Sequence, residues 1–348
     1  MPKTSNISRT VMTMSNYKQY DTRWARLGYP KAPYFIKDCG CGEVAICNVL
    51  NKSFRYRHET PKTIQPYCKQ YAAPNGDGTY FAGIPKMLDH YGFTEIKEHA
   101  QMKTLWKELK KGGRVAIYLM GSKPAGSKGV HWTGSAHFVC STNYKYEDGQ
   151  HMVYVKDSNS TSPLRNGWLS YTENMKGDVL KVWSAKCPKL TNRELIAKYG
   201  WKYAYHSNTS LARYPGGRPK PAYAKALDKF FGKNRKWHPS AKVGASCDVF
   251  VATCIRAAGI DDNAPRGLGR SYFDKSDKFK RVKVDYKTIK DGDIISIIWT
   301  SGNPHWAMAY EGKVLEASLN GWYPKTTNTL KSRLSKSGKQ SVVVYRAK

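Results

Sequence analysis

The sequence predicts an α+β protein of two similarly ordered domains, each with a cysteine-bearing helix packed on an antiparallel sheet that carries a histidine. Three observations lead there. A chain of 348 residues is roughly twice the usual domain size. In each half, helix-periodic segments come first and β-branched, aromatic runs follow. Between the halves, "HSNTSLARYPGGRPKPAYAKAL" combines Pro-Gly-Gly with two further prolines, the strongest break in the chain, which puts a seam near residue 207.

The first domain is read over residues 15–190. In "KDCGCGEVAICNVL", residues 37–50, a glycine flanks Cys41 on each side, and Ala45, Ile46, Val49 and Leu50 form the buried stripe of a helix starting at the cysteine. "GIPKMLDHYGF" and "TLWKELKKGG" also have helical periodicity and stop at glycines. Then "RVAIYLM", "SAHFVCSTNY" and "HMVYVKDS" read as strands separated by Gly, Lys and Asp turns. Residues 191–207 are read as a linker and residues 208–348 as the second domain. There "ASCDVFVATCIRAAGI" has Ser246 as helix cap, apolar positions at Phe250, Val251, Cys254, Ile255 and Ala258, and Gly259 as the stop. "DGDIISIIW", "HWAMAYEG", "KVLEAS" and "SVVVYRA" follow as strands, with no shorter repeat and no low-complexity segment.

With 40% hydrophobic and 13% aromatic residues the composition is that of a folded protein rather than a disordered one. No run of apolar residues is long enough to span a membrane, and "MPKTSNISRTVMTMSNYK" lacks the apolar core of a secretory signal, so a chain made in the cytoplasm is expected. Eight cysteines include no C-x-x-C pair and no Cys/His set with zinc spacing, which predicts free thiols, no metal and no cofactor. The formal charge is +32, shared equally at +16 on either side of residue 207, so the basic excess is no detachable tail. Such a surface suits an anionic polymer: nucleic acid, an anionic membrane or the teichoic acids of a bacterial wall. No helix-turn-helix, finger or aromatic RNP signature favours nucleic acid.

A thiol attacks an amide only as thiolate, and a helix start supplies N–H groups and a positive dipole end that favour the anion. Cys41 sits at such a start, whereas Cys47, six residues on, is turned about 240° away and reads as core. His137 falls on a strand and Asp157 at the end of the next one. Neighbouring antiparallel strands bring that pair together, so the carboxylate orients the imidazole and the imidazole takes the thiol proton. The second half repeats the order: Cys247 opens a helix, His305 begins a strand that turns at Glu311-Gly312, and the return strand brings Glu316 beside His305.

"YKQYDTRW", the cysteine-glycine helix start, "AHFV" and "VKDS" together resemble the papain-like peptidase family related to bacteriocin leader-processing peptidases, in its soluble branch, over about residues 17–185. The resemblance implies a papain-like fold with Cys41 as nucleophile, His137 as base, Asp157 as orienting acid and Gln19 as oxyanion donor. Glu43 stands where the family usually has proline. Cys39, at a position where the family commonly has a small residue, is the second candidate nucleophile. "GASCDVFVATCIRAAG" and "GNPHWAMAYEGKVLEAS" resemble the NlpC-type peptidoglycan peptidases over about residues 210–325. That resemblance implies Cys247 as nucleophile, His305 as base and Glu316 as third residue; Ser246 and Glu316 replace the family's usual Asp and His.

Other candidates are weaker. His131, His151 and His206 lie in polar, turn-like surroundings and are expected to be exposed, and Trp132, Trp168, Trp306 and Trp322 are candidates for a glycan groove or for the core. The two peptidase resemblances, the lack of a secretion signal or membrane segment and the basic surface together lead to the expectation of a peptidoglycan hydrolase similar to a bacteriophage endolysin, which acts on bacterial peptidoglycan and anionic wall polymers once the host membrane is breached. The alternatives are one catalytic domain with a catalytically weak wall-binding partner, a leader-peptide processing protease, or a non-enzymatic nucleic-acid or wall-binding protein.

Overall fold

The computed structural model describes residues 16–28, 34–75, 77–207, 209–214, 216–232, 242–318, 321–335 and 337–348. The N-terminal stretch from which the absence of a signal was read lies outside them up to residue 15. The chain divides into two compact units between Lys189 and Leu190. Both are α+β, each with one six-stranded antiparallel sheet. Among the described residues no helix is long and apolar enough to cross a membrane.

In the first unit, α1 (Ile36–Cys39), α2 (Cys41–Leu50), α3 (Pro61–Cys68), α4 (Gly83–His90), β1 (Thr94–Glu98) and α5 (Met102–Leu109) precede β2 (Arg114–Met120), β3 (His137–Glu147), β4 (Gln150–Lys156), β5 (Gly167–Ser170), α6 (Tyr171–Asn174) and β6 (Val179–Lys186). The strands lie in the order β1-β6-β2-β3-β4-β5. Both faces of the sheet are covered, which explains why "RVAIYLM" is apolar almost without alternation. Val115, Ile117, Phe138 and Cys140 pack with the α2 residues Val44, Ala45 and Val49 on one face. Ala116, Tyr118 and Val139 pack with Leu105, Trp106 and Trp132 on the other. The helices expected over "GIPKMLDHYGF" and "TLWKELKKGG" end as α4 and α5, followed by Gly92 and Gly112, both with φ of +71°.

The second unit begins earlier than the sequence suggested. Residues 191–207, read as a linker, contain α7 (Asn192–Tyr203). A Thr191–Glu194 capping box starts this helix, Ile196, Ala197 and Gly200 are buried, and a Cβ on Gly200 would stand 2.6 Å from Met308 Sδ. The Pro-Gly-rich stretch lies inside this unit: Arg213 bridges Trp322 of the sheet, and its last residues, from Pro221 on, are helical. It misled because loop punctuation marks any turn, whereas a domain boundary is set by where buried surface ends. After α8 (Pro221–Phe231), α9 (Cys247–Ala257), α10 (Arg270–Lys275) and β7 (Phe279–Val282) come β8 (Ile294–Trp299), β9 (Pro304–Tyr310), β10 (Lys313–Ser318), β11 (Trp322–Thr329), α11 (Leu330–Leu334) and β12 (Lys339–Ala347). The strand order is β11-β10-β9-β8-β12-β7. Helices α7 and α9 pack against β9 on one face, while Ile295, Ile297, Ala307 and Ala309 join Leu330 and Leu334 in a separate cluster.

Candidate active site

In the first unit, Cys41 is the first residue of α2, behind Gly40, and is half-buried. His137 opens β3 and Asp157 directly follows β4. The β3–β4 hairpin closes through Asp148 and Gly149, with φ of +51° and +75°, the left-handed pair a tight hairpin turn needs. His137 Nε2 lies 2.7 Å from Asp157 Oδ1, which leaves Nδ1 for the thiol. Continuing the β3–β4 register puts Asp157 opposite Val139, so the pair is a diagonal one.

The electrostatics single out one thiol. Burial holds Cys41 toward the thiol, but the hydrogen bond and charge of His137 and the N–H groups of Phe138 and Gly42 outweigh it, so its pKa lies below the ordinary value. Burial opposes charge on His137 as well; the bonds to Asp157 and Cys41 overcome it and lift the imidazole to about 9. Asp157 is fully buried, and its bond to His137, the His137 charge and the Arg165 charge hold it below the usual carboxylate range against that burial. Cys39 opens on the same cleft, yet burial and the neighbouring Cys41 push it up to about 12, and its sulfur donates to Phe35 O at 3.4 Å. Cys47 is buried, bonded to Glu59 O and raised well above its ordinary value by burial.

A cleft of about 430 Å³ opens at Cys41 and His137 and is lined also by Gln19, Asp38, Asp77, Tyr80 and Phe81. Gln19 is buried there, accepting from Ser158 Oγ at 2.8 Å, while its amide nitrogen is turned to the carbonyls of Lys37 (3.1 Å) and Ile36 (3.4 Å). As oriented, it braces α1 against the loop after Asp157; beside His137, the donors facing the sulfur are the backbone N–H groups of Phe138 and Gly42. Glu43 does not line the cleft. It is buried, both carboxyl oxygens lack a hydrogen-bond partner, and burial pushes it well above the usual range.

The second unit repeats the constellation. Cys247 opens α9, and His305 Nε2 on β9 lies 2.8 Å from Glu316 Oε2 on β10. The β9–β10 turn uses Glu311 and Gly312, with φ of +51° and +69°. Continuing that register sets Glu316 opposite Ala307, the same diagonal offset from its histidine as Asp157. Burial opposes charge on His305, while bonds to Cys247 and Glu316 raise it to about 9; Glu316, equally opposed by burial, is held at about 2 by His305 and Arg333. A cleft of about 730 Å³ is lined by Cys247, Asp248, Trp299, Asn303, His305 and Ser318. Ser246 occupies the cap position but makes no cap bond, because its hydroxyl donates to Asp248 Oδ1.

Sequence reasoning missed the groups behind the acids. Arg165 Nε lies 2.5 Å from Asp157 Oδ2, and Arg333 Nη2 lies 2.5 Å from Glu316 Oε1, which Thr327 Oγ1 also bonds. No spacing rule marks either arginine, since each reaches its carboxylate from a separate loop or helix. Of the other candidates, His131 and His206 are exposed, but His151 lies on β4, half-buried and stacked on Trp106 at 4.5 Å. Trp132 is core and Trp306 is buried with its N–H on Leu268 O, although it borders the second cleft; Trp168 is 41% exposed, and Trp322 is half-buried with no partner for its N–H. Among the described residues no group of three His, Cys, Asp or Glu side chains is disposed to hold a metal ion. In comparisons with known proteins, no family model and no curated protein matches the chain.

Proposed function

We propose that the protein is a cysteine peptidase or amidase acting on peptidoglycan, built from two papain-like catalytic units and similar in role to a phage endolysin. The observation that carries the reading is the recurrence, in both units, of a thiol at a helix start, a strand histidine bonded to a buried carboxylate, and an open cleft at the pair. In the first unit the Cys41 thiolate attacks the carbonyl carbon of an amide in a stem peptide or cross-bridge. The His137 imidazolium gives its proton to the nitrogen as the C–N bond breaks, and the amine leaves with a thioester on Cys41. Water, deprotonated by His137, then attacks the thioester carbonyl, and the C–S bond breaks to release the acid and the Cys41 thiolate, which restores the thiolate–imidazolium pair. Asp157 keeps the ring oriented and supports its positive charge. Cys247, His305 and Glu316 take the same parts in the second unit, and Gln19 is the family's candidate for the oxyanion. The charge of +32 supports an anionic wall as the substrate's setting.

Digestion of a purified Gram-positive wall, with mass spectrometry of the fragments, tests the reading. Cys41→Ala and Cys247→Ala are each expected to abolish one class of new termini, and only the double variant is expected to be inert. If Cys247→Ala releases every fragment at the wild-type rate, the second unit is not a hydrolase; if the double variant still digests, the thiol mechanism is wrong.

A further inference from the structure

We propose that Arg165 and Arg333 are positioning residues that complete a four-membered chain of thiol, imidazole, carboxylate and guanidinium in each unit, holding the carboxylate ionised and so the cysteine as thiolate. The inference rests on the catalytic reading of the two cysteines.

The geometry is the same twice, although the arginine comes from a different element in each unit. Asp157 and Glu316 are fully buried, and each gives one oxygen to its histidine and the other to its arginine at 2.5 Å. Both guanidinium carbons also stand 5.6 Å from the centre of a tryptophan ring, Trp132 in the first unit and Trp299 in the second. Arg165 comes from the loop between β4 and β5, whereas Arg333 comes from α11, so local sequence does not impose the likeness.

Charge balance explains what the arginine does. A buried thiolate, imidazolium and carboxylate together carry one net negative charge, which low-dielectric surroundings penalise. The cheapest relief is a proton on the sulfur, which destroys the nucleophile. A guanidinium on the carboxylate's far oxygen brings the sum to zero without touching the imidazole. Other titratable groups near Asp157 are Lys18, Tyr20 and Cys140; the Lys18 ammonium binds the Asp157 and Ser160 carbonyls rather than the carboxylate. Glu316 is faced by His305 and Arg333, with Thr327 and Asn328 as neutral donors.

The test uses the full chain and reads the pH dependence of iodoacetamide alkylation at Cys41 and Cys247 separately, by peptide mapping. Arg165→Met is expected to raise the midpoint for Cys41 by about one pH unit, and so to slow its alkylation about tenfold below the midpoint, with Cys247 unchanged as internal control. Arg333→Met should do the same to Cys247 alone. Arg165→Lys and Arg333→Lys keep the charge and should keep the wild-type midpoints. A folded Met variant with an unmoved midpoint, or a Lys variant that shifts as far as Met, overturns the proposal. Where a Met variant does not fold, the Lys variant decides: an unmoved midpoint supports the charge role and a shift of about one unit overturns it. Wall digestion by the wild type is scored separately, so failure there would sink the hydrolase reading while the alkylation midpoints still judge the arginines.

Discussion

Cys41 differs from the five other thiols of its unit in what surrounds its sulfur rather than in being a cysteine. His137 and the N–H groups of Gly42 and Phe138 surround it, whereas burial first and the Glu43 charge next hold Cys47 and Cys68 toward the thiol. The pair sets a pH limit. In the proposed mechanism the imidazolium protonates the leaving amine, and since both histidines are lifted to about 9, the turnover rate is expected to fall as pH rises through about 9; a flat rate across that range, with the fold intact, would remove the histidines as proton donors. Glu43 makes a contrasting statement about stability. Its folded pKa lies above the ordinary 4.5, so the folded state holds the proton more tightly, and stability is full below about pH 4.5 and is lost as pH rises toward the folded value. Glu43→Met should therefore stabilise the first unit by about 1 kcal/mol or more at pH 7 and flatten that slope, as read by urea unfolding at about pH 5 and about pH 8. Equal unfolding midpoints for the two proteins at the higher pH would contradict it. The sequence shows a carboxyl two residues past Cys41; that it has no hydrogen-bond partner depends on what the helix packs against.

At the scale of elements, both sites rest on the same construction. A glycine or serine precedes the cysteine, a hairpin with two left-handed turn residues follows, and the acid sits one diagonal step from the histidine. This much was legible, because helix stripes, strand alternation and Asp-Gly or Glu-Gly turns are local signals. The element that escaped was α7, although Thr191 and Glu194 display a capping box. Thr191→Ala is expected to cost about 1 kcal/mol and to lower the unfolding midpoint of the second unit while leaving the first unchanged. If the first unit's transition moved instead, the boundary between Lys189 and Leu190 would be misplaced.

At the scale of the whole molecule, the positive charge is spread over both units, yet among the described residues no lysine or arginine lines either cleft. Under the proposed function, the basic surface is assigned to attraction to a polyanion and the clefts to chemistry. Raising ionic strength above physiological is expected to slow wall digestion while leaving hydrolysis of a short soluble wall peptide, and thiol alkylation, nearly unchanged, since screening acts on exposed, distant charges far more than on buried ones. An equal loss on the soluble peptide would show that salt acts within the clefts.

The sequence by itself determined the α+β class, the helix starts at Cys41 and Cys247, the strand histidines and the acids that follow one strand on. Each of these is written in spacing, because a helix repeats about every 3.6 residues and a strand every two. Tertiary structure alone decided that His137 meets Asp157 and His305 meets Glu316 at hydrogen-bond distance, that Arg165 and Arg333 stand behind those acids, that Gln19 is turned to carbonyls, and that residues 191–207 belong to the second unit. Those outcomes depend on which surfaces bury one another across long stretches of chain, and an arginine's reach to a carboxylate leaves no period in the sequence to read.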